Sequence, residues 1–485
     1  MSSVSSNGLD RLFYPKSVAV VGASPKRGKE WSSGNAYIAG LIQQDFQGKI
    51  YPVHPRAENI LGYKCYGSIR EIPGEIDLVI FTVPSRAALQ VMEDCAEKRV
   101  KFVHLLTAGF SETGYEEHAE LEKRLISIAK EGNVRLIGPN CMGLYCPEGG
   151  IAWTSEFPTV SGPVGIFSQS GQLAHTIVQA GVDQRLHFSK VVSFGNACDL
   201  QAHDFLNYLA HDEKTQLMGA YLEGVRDGTA FFDAAREISQ TKPLVVWKGG
   251  QTEGGSRAVR SHTAAIAGSQ EIWRGLCRQT GIIPVTSAEE MTLVLSSLQR
   301  MPLPQGTNVA ILGGAGGGSV TMTDIAEKEG LKVPRLSPET IRSLEEFIPL
   351  AGSSLKNPLD ILPALSSKAN VMKLFTLLRD DPNIDALIFT MPIHFFLRGM
   401  GRAGAIKYLQ LTIQAEQMLK KPMFVVLENA HGLEFEATRQ EADDWYHEAN
   451  MATFPTFELA ARVMHKLKEY RDYLISQPAP QGRSL

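Results

Sequence analysis

The stretch SVAVVGAS, residues 17–24, is a run of small and β-branched residues that ends in a glycine turn. Similar apolar runs follow as KIYPV, IDLVIFTV, KFVHLL and NVRLIG, with helical stretches between them, up to about residue 140. A continuous apolar run indicates a strand that is covered on both faces, as in a parallel sheet. Because crossovers between parallel strands are right-handed, this alternation predicts a doubly wound α/β domain.

The same alternation starts twice more along the chain. After the Pro- and Gly-containing segment 146–150, the runs PVGIFS, SKVVSFG, MGAYLEG, PLVVWKGG and IIPV continue to about residue 300, and NVAILGG, ALIFTMP and PMFVVLE follow a linker at 301–306. A chain of 485 residues is also too long for one ordinary core. We therefore predict three doubly wound α/β domains, at residues 1–147, 148–302 and 303–475, and a flexible tail at 476–485.

Composition excludes several classes of partner. Hydrophobic residues make up 44% of the chain and charged residues 21%, with a net charge of -4 and a pI near 6.3. This leaves no excess of Lys and Arg to attract nucleic acid or an anionic membrane.

No stretch approaches the roughly 20 apolar residues that cross a bilayer. The six cysteines lack the C-x-x-C spacing of a zinc or redox site. We expect a soluble cytoplasmic protein with reduced thiols and no metal site of its own.

The turn after the first predicted strand has the features of a phosphate-binding loop. Gly22 would let the backbone approach an anion, and Lys26 and Arg27 would add positive charge. A nucleotide or coenzyme A phosphate could bind there. The turn does not have the G-x-G-x-x-G pattern, however, and a plain turn without a ligand explains the same residues.

Two further strand ends favour a ligand at this edge of the sheet. Val53 ends one predicted strand, and Val83 and Pro84 follow another, so these residues fall at the carboxyl ends where open α/β sheets bind ligands. An NAD(P)-dependent oxidoreductase is a weaker alternative. The second strand ends in PVHP, which lacks the acidic residue that would bind a ribose.

In the second predicted domain, Ser168, Gln169, Ser170 and Gly171 stand between a strand and a helix. Hydroxyl groups and free backbone amides meet there at a helix N-terminus, which predicts an anion-binding turn. A simple N-cap formed by Ser170 would satisfy the same residues.

His262 is the candidate nucleophile. It follows a Gly-rich polar stretch, residues 249–256, which predicts an exposed loop that faces a ligand. Neutral imidazole is abundant near pH 7 and can attack a phosphoryl group to give a phosphoramidate of high energy. Glu223, at the end of another predicted strand, could accept a hydrogen bond from one ring nitrogen and fix the tautomer. A solvated histidine and a carboxylate in a salt bridge are the structural alternatives.

The ordered motifs resemble one known family. VAVVGAS, KIYPVHP, DLVIFTVPS, TAGFSETG, RLIGPNCMG, IFSQSGQL, SFGNACD, YLEG, PLVVWKGG and SHTAAIAG are similar to the alpha chain of ADP-forming acetyl-CoA synthetases, with succinyl-CoA synthetase alpha as a more distant relative. The resemblance covers nearly the whole chain. It implies a Rossmann-like CoA-binding domain followed by two flavodoxin-like ligase domains. It also implies that acyl-CoA, phosphate and NDP are interconverted with the carboxylic acid, CoA and NTP.

The resemblance assigns roles to individual residues. His262 is similar to the phosphorylated histidine that carries the phosphoryl group on a swinging loop, and Glu223 to the carboxylate that steadies it. The positions implied to bind CoA are Gly22, Ser24, Lys26, Val53, Val83, Pro84, Gly138 and Asn140. The positions implied to bind phosphate and the acyl group are Ser168, Gln169, Ser170, Gly171, Gly195 and Asn196.

The sequence departs from the family pattern at three places. Ala264 stands where the family usually has Gly, which would stiffen the loop because Ala resists positive φ. The third domain has GGAGGGS at residues 313–319, where relatives show an NAGGPG-like run, and its role stays open. No ATP-grasp segment is present. The resemblance therefore implies a separate ATP-grasp beta subunit that binds ATP or ADP with Mg²⁺, in an α2β2 assembly.

Two other functions remain compatible with this sequence. A non-catalytic CoA-binding regulator could keep the fold without the phosphoryl relay, although His262 and Glu223 argue against it. A relative could also couple CoA ligation to further chemistry on the acyl-CoA, such as a lyase step. The identity of the acid and the choice between ADP and GDP are not encoded in any motif of this chain.

Overall fold

A computed structural model gives the architecture of the chain. It describes residues 6–25, 32–263, 270–314, 316–349, 351–361, 367–391, 393–428 and 432–477. The chain divides into two compact units, residues 1–291 and 292–485, and each is described by itself.

The strands lie close to the apolar runs of the sequence. They are β1 (Ser17–Val21), β2 (Lys49–Val53), β3 (Asn59–Ile60), β4 (Tyr63–Lys64), β5 (Leu78–Phe81), β6 (Phe102–Leu105), β7 (Arg135–Ile137), β8 (Gly143–Tyr145), β9 (Ser161–Ser168), β10 (Phe188–Ser193), β11 (Leu217–Leu222), β12 (Leu244–Lys248), β13 (Ile283–Val285), β14 (Val309–Leu312), β15 (Ala386–Thr390), β16 (Met423–Val426) and β17 (Thr453–Phe454).

Helices connect most of these strands. They are α1 (Asp10–Phe13), α2 (Ser33–Gln43), α3 (Ala88–Glu97), α4 (Glu116–Glu131), α5 (Gly171–Asp183), α6 (Ala202–His211), α7 (Gly228–Ile238), α8 (Glu253–Thr263), α9 (Gln270–Thr280), α10 (Ala288–Arg300), α11 (Gly317–Lys328), α12 (Pro338–Glu345), α13 (Lys368–Asp380), α14 (Ile393–Leu419, interrupted at Gly401), α15 (Leu433–Glu448) and α16 (Phe457–Ser476).

Among its described residues, the first unit contains two large sheets and the small antiparallel pair β3-β4. The N-terminal sheet has the strand order β2-β1-β5-β6-β7, and all of its neighbours are parallel. Every residue of β1, β5 and β6 is buried, which confirms the prediction of a parallel sheet covered on both faces. On one face, Val79, Phe81 and Val103 pack against Met92 of α3 and Leu125 of α4.

The second sheet of this unit has the order β13-β12-β11-β9-β10-β8. It is parallel except for β8, which pairs antiparallel with β10 so that Tyr145 lies opposite Val191 and Gly143 opposite Ser193. Because β8 precedes the predicted domain boundary at residue 147, the chain enters the second sheet earlier than predicted. Both sheets fall in one compact unit, and the division into three domains stays a prediction.

The second unit is built on one parallel sheet, in the order β14-β15-β16-β17. Leu387 and Phe389 of β15 pack into one core with Phe375 of α13, Leu409 of α14 and Tyr446 of α15. This confirms the α/β class here as well. Helix α16 continues to Ser476, so the predicted tail starts at the last residue of a helix, and residues 478–485 lie outside the described part.

Candidate functional site

Gly22 shapes the first turn. Its φ is +104°, and a Cβ atom at this position would lie 2.5 Å from Thr82 Oγ1 and 2.8 Å from Val83 Cγ1. Its backbone amide donates a hydrogen bond of 3.3 Å to the carbonyl of Val53, at the end of β2. A side chain would therefore force apart the ends of β1 and β5, which explains why glycine is needed at this turn.

Asn35 fixes the turn that follows Gly22. The backbone amide of Ser24 donates to Asn35 Oδ1 at 2.7 Å, and Asn35 Nδ2 donates to the carbonyl of Ser24 at 2.9 Å. Ser32 caps α2 by accepting from the amide of Asn35 at 3.3 Å. Residues 23–25 are thus held beside the N-terminus of α2, where backbone amides favour an anion. Lys26 lies outside the described residues.

The predicted CoA-binding positions that are described lie at one edge of the N-terminal sheet. Val53 ends β2, and Val83 and Pro84 follow β5. Thr107 Oγ1, just after β6, donates to the carbonyl of Val83 at 2.6 Å, and the carbonyl of Thr107 accepts from the amide of Asn140 at 3.0 Å. These bonds connect the turns after three neighbouring strands.

The same edge meets the second sheet. The loop after β10 is hydrogen-bonded to residues 138–140. The amide of Asn196 donates to the carbonyl of Pro139 at 3.0 Å, and the amide of Cys198 donates to the carbonyl of Gly138 at 3.0 Å. Gly195 has a φ of +51°, and a Cβ atom there would collide with the carbonyls of Pro139 and Asn140. The predicted CoA positions and part of the predicted phosphate positions are therefore in direct contact. We name the turns at residues 22–24, 83–84, 138–140, 168–171 and 194–198 the joined edge.

Asn196 holds the joined edge together but has no donor left for phosphate. Both hydrogens of its amide group face carboxylates, with Nδ2 at 2.6 Å from Glu112 Oε2 and 3.3 Å from Glu122 Oε2. Its backbone amide is bonded to Pro139 as well. The phosphate contact predicted for Asn196 is therefore not supported by this arrangement, since a phosphate oxygen needs a free donor.

Ser168, Gln169, Ser170 and Gly171 form the predicted turn between β9 and α5. Ser170 Oγ accepts from the amide of Leu173 at 3.2 Å, so Ser170 is the N-cap of α5. Ser168 Oγ, fully buried, donates to the carbonyl of Ser170 at 2.7 Å and accepts from its amide at 3.1 Å. The N-cap is confirmed. Anion binding at the free amides of this turn stays a prediction.

Gln169 joins this turn to Glu223. Its Oε1 accepts from the amides of Glu223 and of Gly224, the latter at 3.0 Å. This fixes the orientation of the amide group, because two N–H donors require the oxygen on that side. Within the described part of the chain Nε2 of Gln169 has no hydrogen-bond partner, so it can donate to an anion.

Glu223 is buried at the end of β11 and is held from several sides. The hydroxyl of Tyr221 donates to Glu223 Oε1 at 3.2 Å, and Lys248 Nζ donates to the Glu223 carbonyl at 2.7 Å. Burial raises the pKa of Tyr221, as does the neighbouring carboxylate of Glu223, so the phenol stays protonated as a donor. Burial lowers the pKa of Lys248, partly offset by Glu223.

The expectation of a loop at His262 is wrong for the backbone. His262 lies in α8, a helix of 11 residues from Glu253 to Thr263. Thr252 starts this helix, since the amide of Gly255 donates to Thr252 Oγ1 at 3.0 Å and that of Ser256 to the Thr252 carbonyl at 2.7 Å. This cap offsets the low helix propensity of the glycines. The side chain of His262, and Ala264, lie outside the described part.

The glycine run at residues 313–319 follows β14 and leads into α11 in the second unit, in the predicted order of strand, turn and helix. Gly313, at φ +116°, follows β14, and α11 begins at Gly317, while Ala315 lies outside the described residues. At the same edge a cleft of about 360 Å³ is lined by Ile325, Glu428 and residues 455–458.

Several residues that contact the joined edge or Glu223 were not predicted from the sequence. They are Asn35, Thr107, Glu112, Glu122, Arg226 and Lys248. Thr107 and Glu112 lie in the quoted motif TAGFSETG, after a predicted strand, and this position was a usable signal.

In the described part of the chain, no group of three or more His, Cys, Asp or Glu side chains could hold a metal ion. Among those residues no helix is long and apolar enough to cross a membrane.

Comparison with known proteins places both sheets of the first unit in described families. Residues 16–147 match the CoA binding domain, and residues 161–298 match the succinyl-CoA ligase like flavodoxin domain. The alpha subunit of the ADP-forming acetate–CoA ligase II of Pyrococcus furiosus is 38% identical over 383 residues, which cover 78% of this chain and 81% of that subunit.

Two further comparisons support this similarity. The ADP-forming acetate–CoA ligase I of Archaeoglobus fulgidus is 38% identical over 78% of this chain, which covers 54% of that protein, so the chain spans about half of its length. The dinucleotide-forming acetyl-coenzyme A synthetase 1 of Ca. Korarchaeum cryptofilum, solved with phosphate and ADP, has a similar structure. Its TM-score is 0.79 at 31% identity, over 98% of this chain and 99% of that one.

Proposed function

The chain belongs to the family of ADP-forming acetate–CoA ligases, and on that premise we propose that it is the alpha-type half of an NDP-forming acyl-CoA synthetase. The observation that carries this proposal is the joined edge. The turns expected to bind CoA and the turns expected to bind phosphate are hydrogen-bonded to one another through Asn140, Pro139 and Asn196. A thioester and an attacking phosphate must meet at one point, and this arrangement supports such a meeting.

The proposed reaction has three steps. A phosphate oxygen attacks the thioester carbonyl carbon, the C–S bond breaks, and CoA leaves as a thiolate that takes up a proton. A ring nitrogen of His262 then attacks the phosphorus of the acyl phosphate, and the P–O bond to the acyl group breaks to release the carboxylate. The phosphoryl group passes from His262 to NDP, which restores the imidazole. Each step is reversible, so the same residues serve thioester formation.

The described residues support distinct roles in these steps. Gly22 and Ser24 would accommodate a CoA phosphate beside the N-terminus of α2, with Val53, Val83, Pro84, Gly138 and Asn140 along the rest of the cofactor. The backbone amide of Gly171 and Nε2 of Gln169 would bind the attacking phosphate. Glu223, fixed by Tyr221, would accept a hydrogen bond from one ring nitrogen of His262 and so set the tautomer that attacks phosphorus.

The nucleotide half would lie on a second polypeptide. The Pyrococcus furiosus relative is named as an alpha subunit, which supports a partner subunit. We propose an ATP-grasp beta subunit that binds ATP or ADP with Mg²⁺, in an α2β2 assembly. Five of the six cysteines are buried, which is compatible with a reducing cytoplasm.

A labelling experiment tests this proposal. The chain is combined with the ATP-grasp protein of a neighbouring reading frame and incubated with ATP labelled at the γ-phosphate. We expect label on His262 that is acid-labile and stable in alkali, as a phosphoramidate is. His262→Ala should abolish both the label and thioester formation, while His211→Ala, at an exposed histidine of α6, should change neither. Undiminished turnover of His262→Ala would contradict the proposal.

A further inference from the structure

The helix that carries His262 rests on a short turn of the N-terminal sheet's edge. Helix α8 packs against the 3-10 turn Ser111–Thr113, which follows β6. This turn is not part of any site assigned above. It stands beside the joined edge, since a Cβ atom at Gly109 would lie 3.0 Å from Ser85 Oγ, next to Pro84.

Glu112 builds this turn with its own carboxylate. Glu112 Oε1 accepts from the amide of Gly109 at 2.5 Å and from that of Phe110 at 3.1 Å, while Oε2 accepts from Asn196 at 2.6 Å. Burial opposes ionisation of Glu112, but these hydrogen bonds outweigh it and lower its pKa below the usual value. The carboxylate is therefore charged at neutral pH and keeps its acceptors occupied.

A second carboxylate anchors the other side of the turn. Glu122 Oε2, on α4, accepts from Ser111 Oγ at 2.7 Å and from the amide of Ser111 at 3.3 Å. Arg226 lies 4.0 Å from Glu122 and donates to the carbonyl of Asn196 at 3.0 Å. The turn is thus fixed to α4 and to the loop after β10, so its surface toward α8 is rigid.

We infer that Glu112 is a positioning residue for His262, because it shapes the turn on which α8 rests when the histidine serves the thioester side of the reaction. This inference rests on the proposed function. The phosphoryl group must be received at the joined edge and then delivered to a nucleotide on another subunit. The turn Ser111–Thr113 lies beside the joined edge, so it can support α8 only while the phosphoryl group is received. Loss of Glu112 should therefore impair the two half-reactions unequally.

The experiment measures phosphorylation of His262 from each side. In the first half-reaction the chain receives labelled phosphate with acetyl-CoA, propionyl-CoA or 4-hydroxybutyryl-CoA, whichever labels the unmodified chain. In the second it receives γ-labelled ATP in the complex with its ATP-grasp partner. We expect Glu112→Ala to slow the first at least about tenfold, because a small misplacement of a reacting group is costly. The second should change less than about twofold.

Glu71 offers a matched control, because it lies in another 3-10 turn beside the N-terminal sheet. Its carboxylate caps the 3-10 turn Ile69–Glu71 in a similar way, by accepting from the amide of Gly67 at 3.1 Å and from Ser68 Oγ at 3.3 Å. Glu71→Ala should leave both half-reactions as they are. Ser111→Ala, which removes one bond to Glu122, provides a milder variant that keeps the fold and should slow only the first half-reaction.

The outcomes separate this inference from the function on which it depends. Equal slowing of both half-reactions in folded Glu112→Ala and Ser111→Ala, or no change in either, would overturn the role of Glu112. Failure of the unmodified chain to label from either side, with full turnover of His262→Ala, would overturn the proposed function instead. Circular dichroism and the melting temperature of each variant establish that it is folded.

Discussion

His104 is a buried histidine of β6 that takes no part in the proposed reaction. Its Nε2 lies 3.0 Å from the carbonyl oxygen of Cys141, and its ring occupies the space beside Gly143. Burial lowers its pKa to about 4, although the hydrogen bond to Cys141 acts in the opposite direction. The ring is therefore neutral at pH 7 and donates from Nε2 to the carbonyl of Cys141.

This histidine should make stability depend on pH. Between the unfolded pKa of 6.5 and the folded value of about 4, the unfolded chain binds a proton that the folded chain does not. The free energy of unfolding should therefore fall as the pH decreases through this interval, by at most about 3 kcal/mol from this group. Well above pH 6.5 both states leave this histidine neutral, and the free energy of unfolding no longer depends on pH through it.

Urea unfolding at several pH values between 4 and 6.5 measures this effect. His104→Gln should show a shallower dependence on pH than the unmodified chain, because the titrating group is gone. His211→Gln, at an exposed position of α6, should keep the original slope. Identical slopes for His104→Gln and the unmodified chain would assign the acid sensitivity to other groups.

Individual site residues differ in how far the sequence reveals them. Gly22 and Gly195 lie in turns directly after strands, and glycine at such a position predicts a close backbone approach, as the structure has it. Glu112 was not predicted, although it follows a predicted strand in the motif TAGFSETG. Its bond to Asn196 joins positions that are 84 apart. No local pattern encodes a contact of that kind.

Elements with a continuous apolar run were predicted well, whereas short or polar ones were not. The runs at β1, β5 and β11 bury every residue, and β9 buries its last five, so composition alone identifies them. Strand β17 has two residues and carries no periodic signal. Helix α8 is polar and contains two glycines near its start, and its formation depends on the cap at Thr252 and on packing.

The start of α5 allows the two interpretations of Ser170 to be separated. Ser170→Ala removes the N-cap and should cost about 1 kcal/mol of stability. Ser170→Asp keeps a capping oxygen but adds a negative charge beside the turn. If phosphate binds there, the KM for phosphate should rise at least about tenfold in Ser170→Asp, through repulsion at short range. Steady-state kinetics at varied phosphate concentration gives this value.

Ser367 serves as the control for this substitution. It caps α13 in the second unit by accepting from the amide of Asn370 at 3.2 Å, and it is exposed. Ser367→Asp should preserve stability and leave the KM for phosphate unchanged. A KM for phosphate in Ser170→Asp that matches the unmodified chain would limit Ser170 to its capping role.

The chain is divided into two compact units. The first contains both sheets that match the CoA-binding and ligase-like families, and the second has its own core around β15. Units with separate cores can unfold separately. The sequence predicted the alternation in all three regions, but it could not reveal that β8 leaves the first region to pair with β10.

A fragment of residues 1–300, which keeps α10 whole, tests this organisation. We expect it to fold alone and to bind CoA with the affinity of the full chain, because every proposed CoA contact lies within it. Calorimetry of the full chain should show two transitions, one of which coincides with that of the fragment. An insoluble fragment, together with one cooperative transition for the full chain, would show that the units are interdependent.

The pairing of β8 with β10 limits how such proteins can be recombined. A chimera that joins the N-terminal module of one relative to the ligase module of another at residue 147 would keep Gly143–Tyr145 from the first parent and their partner strand from the second. The pairing of β8 with β10 and the hydrogen bond between Asn196 and Pro139 would then join residues from different parents. A crossover beyond residue 300 takes β8, β10, Pro139 and Asn196 from the same parent, so designed gene fusions should place their junction there.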